Sequence, residues 1–145
     1  MTSAAARLYR LTRGRVLGRI GGQPVLLLET IGRRTGRRRT TPLQYLADDE
    51  AFVVVASNRG AAHPPAWYLN LLAHPGARVQ VGARTFDVRA RELGGDERDK
   101  LWDQLTAGNR HLEDAARKAG RQLPLMALTP RRSAGERLPR AGAAP

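Results

Sequence analysis

The sequence predicts an α+β fold, a small barrel of about six antiparallel strands with short helices at its ends. Short apolar runs, some β-branched throughout and some strictly alternating, recur along the chain between glycine, proline and asparagine clusters. No strand–helix–strand alternation of the kind a parallel sheet needs runs through it. At 145 residues the chain has the length of one core.

The elements follow in order. Residues 4–20 predict a basic helix with Leu8, Leu11, Leu17 and Ile20 as its apolar positions, stopped by Gly21-Gly22-Gln23-Pro24. Residues 25–30 read as a buried strand, and Gly32-Arg33-Arg34-Thr35-Gly36 as a loop bracketed by glycines. A second strand over 40–46 ends at the acidic turn Asp48-Asp49-Glu50. Residues 51–57 are apolar and β-branched in the middle, which marks a central strand. After a loop over 58–63, Pro64-Pro65 opens a short helix that runs to Ala73 and stops at His74-Pro75-Gly76. Val79 and Val81 alternate with polar residues, as do Phe86, Val88 and Ala90, and Gly82-Ala83-Arg84 turns between them, so this pair is a half-buried hairpin. Residues 96–107 and 109–120 predict two helices, the first with acids in its opening turn, and 123–128 a last strand. The expected organisation is a basic, helical segment over 1–22, a barrel domain over 23–129, and a disordered tail over 130–145.

The net charge of +12 is unevenly placed. Residues 1–47 hold ten arginines against one acid, Glu29, whereas residues 48–130 balance and the tail adds four arginines against one glutamate. Lys100 and Lys118 are the only lysines, so a compositional bias accounts for part of the arginine excess, but not for the run at 33–39. A positive face on an otherwise neutral domain suits an anionic ligand.

Several chemistries are excluded or disfavoured. With no cysteine there is neither a disulfide framework nor a thiolate, which fits a cytoplasmic setting. His63, His74 and His111 lack metal-ligand spacing, so no metal site is expected. The longest apolar runs, 25–28 and 51–56, are too short to span a bilayer, and the first twenty residues carry arginines rather than the apolar stretch of a secretory signal. With no conventional nucleophile set, reactivity would have to come from a cofactor.

Two stretches are equipped to hold one. The first, residues 32–42, places five arginines in seven positions between glycines and ends Thr40-Thr41-Pro42. Glycine lets backbone amides approach phosphate oxygens, and guanidinium forks suit phosphates and carboxylates. The second is Ala56-Ser57-Asn58-Arg59-Gly60 followed by Pro65-Ala66-Trp67-Tyr68-Leu69-Asn70-Leu71, a strand end leading through a small-residue loop into a helix start with free N–H groups. Trp67 and Tyr68 also read simply as core.

Taken together these stretches resemble the deazaflavin-dependent nitroreductase family, a branch of the split β-barrel flavin-binding fold. The resemblance is carried by Leu28-Glu29-Thr30-Ile31-Gly32-Arg33-Arg34-Thr35-Gly36, Arg39 to Pro42, Val54-Val55-Ala56-Ser57, the Pro65 to Leu71 motif, and His74-Pro75 before Val79-Gln80-Val81. It covers roughly residues 8–129. It implies coenzyme F420, with Arg33, Arg34 and Arg39 on the charges of its tail, Thr41 and Pro42 along its path, Ala56, Ser57 and Asn58 at the ring edge, and Ala66, Trp67, Tyr68 and Asn70 closing the ring and ribityl side. It further implies hydride transfer to a small-molecule electron acceptor, quinone-like or otherwise electron-poor, with Ser57 the candidate donor at the ring edge. The family's known members carry tyrosines where this chain reads Asn109-Arg110-His111-Leu112-Glu113-Asp114-Ala115, which bears on the acceptor.

Two alternatives stand beside this reading. One is a flavin mononucleotide (FMN) enzyme on the same barrel, for whose single phosphate five arginines are excessive. The other is a nucleic-acid-binding barrel, which a 5% aromatic content with no strand-borne stacking platform disfavours, so no nucleic-acid partner is expected. The basic, thinly apolar segment before Gly21 also suggests peripheral membrane contact. No oligomeric state follows from the sequence.

Overall fold

A computed structural model describes residues 4–14, 18–20, 23–107 and 109–131. The first helix, α1 (Ala4–Leu11), is followed by a two-residue strand, β1 (Arg19–Ile20). The helix expected over 4–20 is thus cut short. Arg13 and Gly14 both adopt left-handed backbone (φ 53° and 78°), which ends it. Leu8 and Leu11, expected on the buried stripe, are exposed, Ile20 belongs to a strand, and Leu17 lies outside the described residues. The buried face is instead Ala6 and Tyr9, packed on Val25 and Leu27. The Tyr9 hydroxyl donates to the Val25 carbonyl at 3.0 Å and accepts from the Gly82 amide at 2.8 Å. Gly14 comes so close that an added Cβ would lie 2.9 Å from the Gly82 Cα, so the chain must turn there.

Next come β2 (Gln23–Ile31), β3 (Arg38–Gln44), β4 (Leu46–Asp48) and β5 (Ala51–Val55). A single 3₁₀ turn (Asn58–Gly60) leads to α2 (Ala66–Ala73), then to the hairpin of β6 (Gly76–Val81) and β7 (Arg84–Glu92). Helices α3 (Gly95–Thr106) and α4 (Arg110–Ala119) precede β8 (Leu125–Pro130). The tail expected from 130 onward lies outside the described residues beyond 131.

The sheet runs β1-β2-β6-β7-β8-β5-β4, with β3 on the free side of β2, and every pairing is antiparallel. Only Tyr45 separates β3 from β4, so the two ends of the sheet are one bent strand and the sheet curls into a barrel. The bend is fixed from both sides: the Tyr45 amide donates to the Pro24 carbonyl at 3.2 Å, and its ring meets Phe52 edge-on at 5.4 Å. The strand expected over 40–46 is therefore two pieces.

Alternation along β5 accounts for the layers. Phe52 and Val54 point into the barrel with Leu26, Leu28, Val79 and Leu128, where Trp67 and Leu71 of α2 close the end. Val53 points outward and packs with Leu125 and Ala127 against Leu101 of α3. A strand covered on both faces has to be apolar throughout, as β5 is.

Candidate active site

The arginine loop joins β2 to β3. Its shape depends on two glycines: Gly36 is left-handed (φ 70°), and a Cβ on Gly32 would fall 2.9 Å from the Thr35 hydroxyl and 3.0 Å from the Arg37 carbonyl. The Gly32 amide donates to the Arg37 carbonyl at 2.7 Å, and the Gly36 amide to Gly32 at 2.8 Å. Helix α2 holds the loop from below. Asn70, buried, accepts at Oδ1 from the Arg33 backbone amide (3.1 Å) and the Arg33 Nη1 (3.2 Å), and its Nδ2 donates to the Thr30 hydroxyl (3.2 Å).

Strand register then sorts the arginines. Arg39 lies opposite Thr30 and Thr41 opposite Leu28, so Arg39 and Thr41 share the face that carries the Asn70 contact. Arg38 points the other way and pairs with Glu29 at 3.2 Å, where Arg10 also approaches to 3.9 Å. Arg34 is exposed, Arg39 half-buried, and neither has an acid partner among the described residues. Arg37 is exposed as well.

The end of β5 builds the second part. The buried Ala56 donates its amide to the Pro124 carbonyl at 2.9 Å, and Ser57 leads into Asn58, Arg59 and Gly60, all left-handed (φ 46°, 55° and 80°). Asn58 Nδ2 donates to the His63 carbonyl at 3.0 Å, and Arg121 donates to the carbonyls of Ala61 and His63 at 3.3 and 3.2 Å. Gly60 packs under Lys118 and the Ala115 carbonyl of α4, where an added Cβ would lie 3.0 and 3.2 Å from them.

Between this corner, the β3–β4 bend and the α3–α4 junction lies a cavity of about 390 Å³. Pro42, Leu43 and Tyr45 form one wall, Ser57 and Arg59 another, and Gln104, Asn109 and Leu112 a third. Among the described residues its lining holds one charged side chain, Arg59, and no acid. The segment that stands in place of the tyrosines thus does face Ser57, and Tyr45 supplies an aromatic wall from a different strand.

The residues of the α2 motif, expected to close one ligand surface together, diverge. Ala66 is exposed at the helix start, Trp67 is in the barrel core, and Asn70 spends its polar atoms on Arg33 and Thr30. Tyr68 is half-buried and donates to the Glu92 carboxylate. Desolvation first, then the hydrogen bond and charge of Glu92, push its phenol up to about 12, against a smaller opposing effect of Arg121. None of these four lines the cavity, and neither does Asn58. Sequence reasoning missed Arg59 and Gln104 as cavity residues. Arg59 carried a signal, a lone cation just before a glycine at a strand end, whereas Gln104 carried none, being one polar residue among several on α3.

Leu43, on the same face of β3 as Arg39 and Thr41, is four residues along from Arg39, or about 13 Å of strand. One ligand reaching both parts would be elongated, anionic at the arginine loop and flat or apolar at the cavity. A curled antiparallel barrel with such a site defines a cofactor-binding split-barrel protein. Residues 2–130 match the family described as F420H(2)-dependent quinone reductase, and the chain belongs to that family. An F420H(2)-dependent quinone reductase of Mycobacterium tuberculosis is 37% identical over 128 residues, 86% of each chain. Among solved structures, an F420-H2-dependent reductase superposes with a TM-score of 0.66 at 31% identity, covering 72% of this chain and 93% of that one. HutZ of Vibrio cholerae, described as a heme storage protein, shares the fold at a TM-score of 0.52 and 22% identity, over 88% of each chain. The family shown is that of the F420H(2)-dependent quinone reductases, on the split-barrel fold that the sequence resemblance implied.

Proposed function

We propose that this chain transfers a hydride from reduced coenzyme F420 to a quinone or a similar electron-poor acceptor. The observation that carries the reading is the single strand β3, which puts Arg39, Thr41 and Leu43 on one face, with Leu43 in the wall of the Ser57 cavity. The chemistry of the donor set fits the coenzyme: Arg34 and Arg39, without acid partners among the described residues, match a tail of several carboxylates better than the single phosphate of FMN. The donor named for the relatives, F420H(2), points the same way.

The bound coenzyme would supply the hydride. The protein's own part is binding, orientation and exclusion of water. Arg34 and Arg39 hold the tail, Arg33 is set in place by Asn70, and Thr41 and Pro42 line the path. Ala56 and Asn58 shape the corner from which the Ser57 hydroxyl donates toward the ring edge. Ala66, on the surface at the start of α2, is the member of that motif left to meet the ligand directly, while Trp67, Tyr68 and Asn70 support the site from behind. The cavity has the volume of a small-molecule site. Nitro compounds are a second acceptor class, served less well by a wall of Leu112 and Asn109.

A nucleic-acid role finds little support, since Trp67 is buried and Tyr68 is tied to Glu92. Peripheral membrane contact by a cytoplasmic protein is supported by α1, where Leu8 and Leu11 stand exposed beside Arg7 and Arg10. No helix among the described residues is long and apolar enough to cross a membrane. Titrating the apoprotein with F420, FMN and an oligonucleotide tests the ligand class: saturable F420 binding that weakens as the glutamate tail is shortened supports the reading, and preference for FMN or oligonucleotide refutes it.

A further inference from the structure

We propose that Arg59 receives the negative charge that an acceptor gains in the Ser57 cavity, and so selects acceptors that end as oxyanions. The inference rests on the proposed function, with the acceptor meeting the coenzyme's ring edge in this cavity. A quinone that takes up a hydride, two electrons with one proton, from the reduced coenzyme becomes a hydroquinone anion. Solvent then adds the second proton, and the coenzyme leaves oxidised. Between those events a full charge sits on an oxygen of the acceptor, which a cation beside it stabilises.

Among the described residues Arg59, an exposed side chain, is the one charged group in the cavity lining, and no carboxylate there competes for it. Among the described residues its side chain has no hydrogen-bond or ion-pair partner, unlike Arg33, Arg38, Arg78, Arg91, Arg98, Arg117 and Arg121. Its backbone is left-handed (φ 55°, ψ 28°) directly after Asn58 at φ 46°, a conformation that glycine adopts freely and a long side chain rarely does. The loop is held in that shape from outside, by Gly60 under α4 and by Arg121 on the carbonyls that follow. An arginine in a place shaped for glycine, unpaired and facing a cavity without acids, is the pattern of strain kept for function.

The test separates this role from a structural one, because Arg59→Gly relieves backbone strain while removing the charge. The probe is para-nitrophenolate, an oxygen anion on a flat ring, followed by its absorbance change on binding, with nitrobenzene as the uncharged comparator. Arg59→Gly and Arg59→Gln should weaken nitrophenolate binding by about 10- to 100-fold, the range of one charged hydrogen bond. Arg59→Lys should keep most of it, and nitrobenzene should be indifferent to all three. Arg59→Gly should melt no lower than the parent, yet reduce quinone at a lower kcat. Equal nitrophenolate binding by parent and Arg59→Gly overturns the proposal, as does a loss of F420 affinity in place of anion affinity. If the parent fails to oxidise F420H2 with any quinone while nitrophenolate binding still depends on Arg59, the proposed reaction falls and the anion site stands.

Discussion

The side-chain oxygen of Asn70 accepts two hydrogen bonds from Arg33, one from its backbone amide at 3.1 Å and one from its guanidinium at 3.2 Å. A buried helix residue thereby fixes both the path of the arginine loop and the direction of its first arginine, while Nδ2 ties the pair to Thr30 on β2.

Removing that clamp should loosen the loop as well as the fold. Asn70→Ala leaves buried partners unsatisfied and should cost about 2–3 kcal/mol in a denaturant titration, with weaker F420 binding although Asn70 spends its polar atoms inside the protein. Asn70→Asp keeps an acceptor for Arg33 and should retain more affinity than the alanine variant.

The face assignment along β3 makes a second prediction. Arg34→Ala and Arg39→Ala should each weaken F420 binding by about 10- to 100-fold, from charged hydrogen bonds of about 1.5–3 kcal/mol. Arg38→Ala should change it little, since Arg38 belongs to Glu29 on the other face. Fluorescence titrations of the three variants compare them directly, and equal effects of Arg38→Ala and Arg39→Ala would sink the assignment.

These contrasts mark what was legible in the sequence. Alternation put Val79 and Phe86 on one face of a hairpin with its turn at Gly82, and they are register partners with Gly82 left-handed at φ 60°. The doubly covered strand around Phe52 was equally plain, because periodicity reports burial directly. Interactions that join distant segments were not legible. Tyr9 became the buried residue of α1 because the Val25 carbonyl and the Gly82 amide wait for its hydroxyl, and no local pattern announces partners 16 and 73 residues away. The bend at Tyr45 depends on Pro24 and Phe52 in the same way. In the site, the arginine motif was visible as composition, but its division into two faces needed the register with β2. The α2 motif looked like one ligand surface because its residues are consecutive, whereas a helix sends consecutive residues in different directions.

Alkaline stability follows from two phenols. Tyr68 is pushed up from 10.0 to about 12 by desolvation and by Glu92, and burial raises Tyr9 as well. A folded state that holds these protons more tightly than the unfolded chain has its full stability below about pH 10 and loses it as pH rises toward 12. Tyr68→Phe should flatten that loss in denaturant titrations over this window, and an unchanged slope would show that the fold does not hold the Tyr68 proton.

Acceptor choice should respond to Leu112, which faces Ser57 across the cavity. Leu112→Tyr adds an aromatic wall and a phenolic donor, so it should raise kcat/KM for nitroaromatic acceptors with little change in F420 affinity. Steady-state rates with one quinone and one nitroaromatic, for parent and variant, measure this. Brisk nitro reduction by the parent would mean that the cavity already supplies what Leu112→Tyr was meant to add.

The most direct measurement is anaerobic oxidation of F420H2 by the parent protein with a soluble quinone, read from the returning fluorescence of oxidised F420, beside Arg39→Ala and Ser57→Ala. The account predicts quinone-dependent turnover by the parent, loss in Arg39→Ala that added coenzyme restores, and loss in Ser57→Ala that no amount of coenzyme restores. Parent protein that binds F420H2 but leaves it unoxidised in the presence of quinone, or a Ser57→Ala variant as fast as the parent, would contradict it.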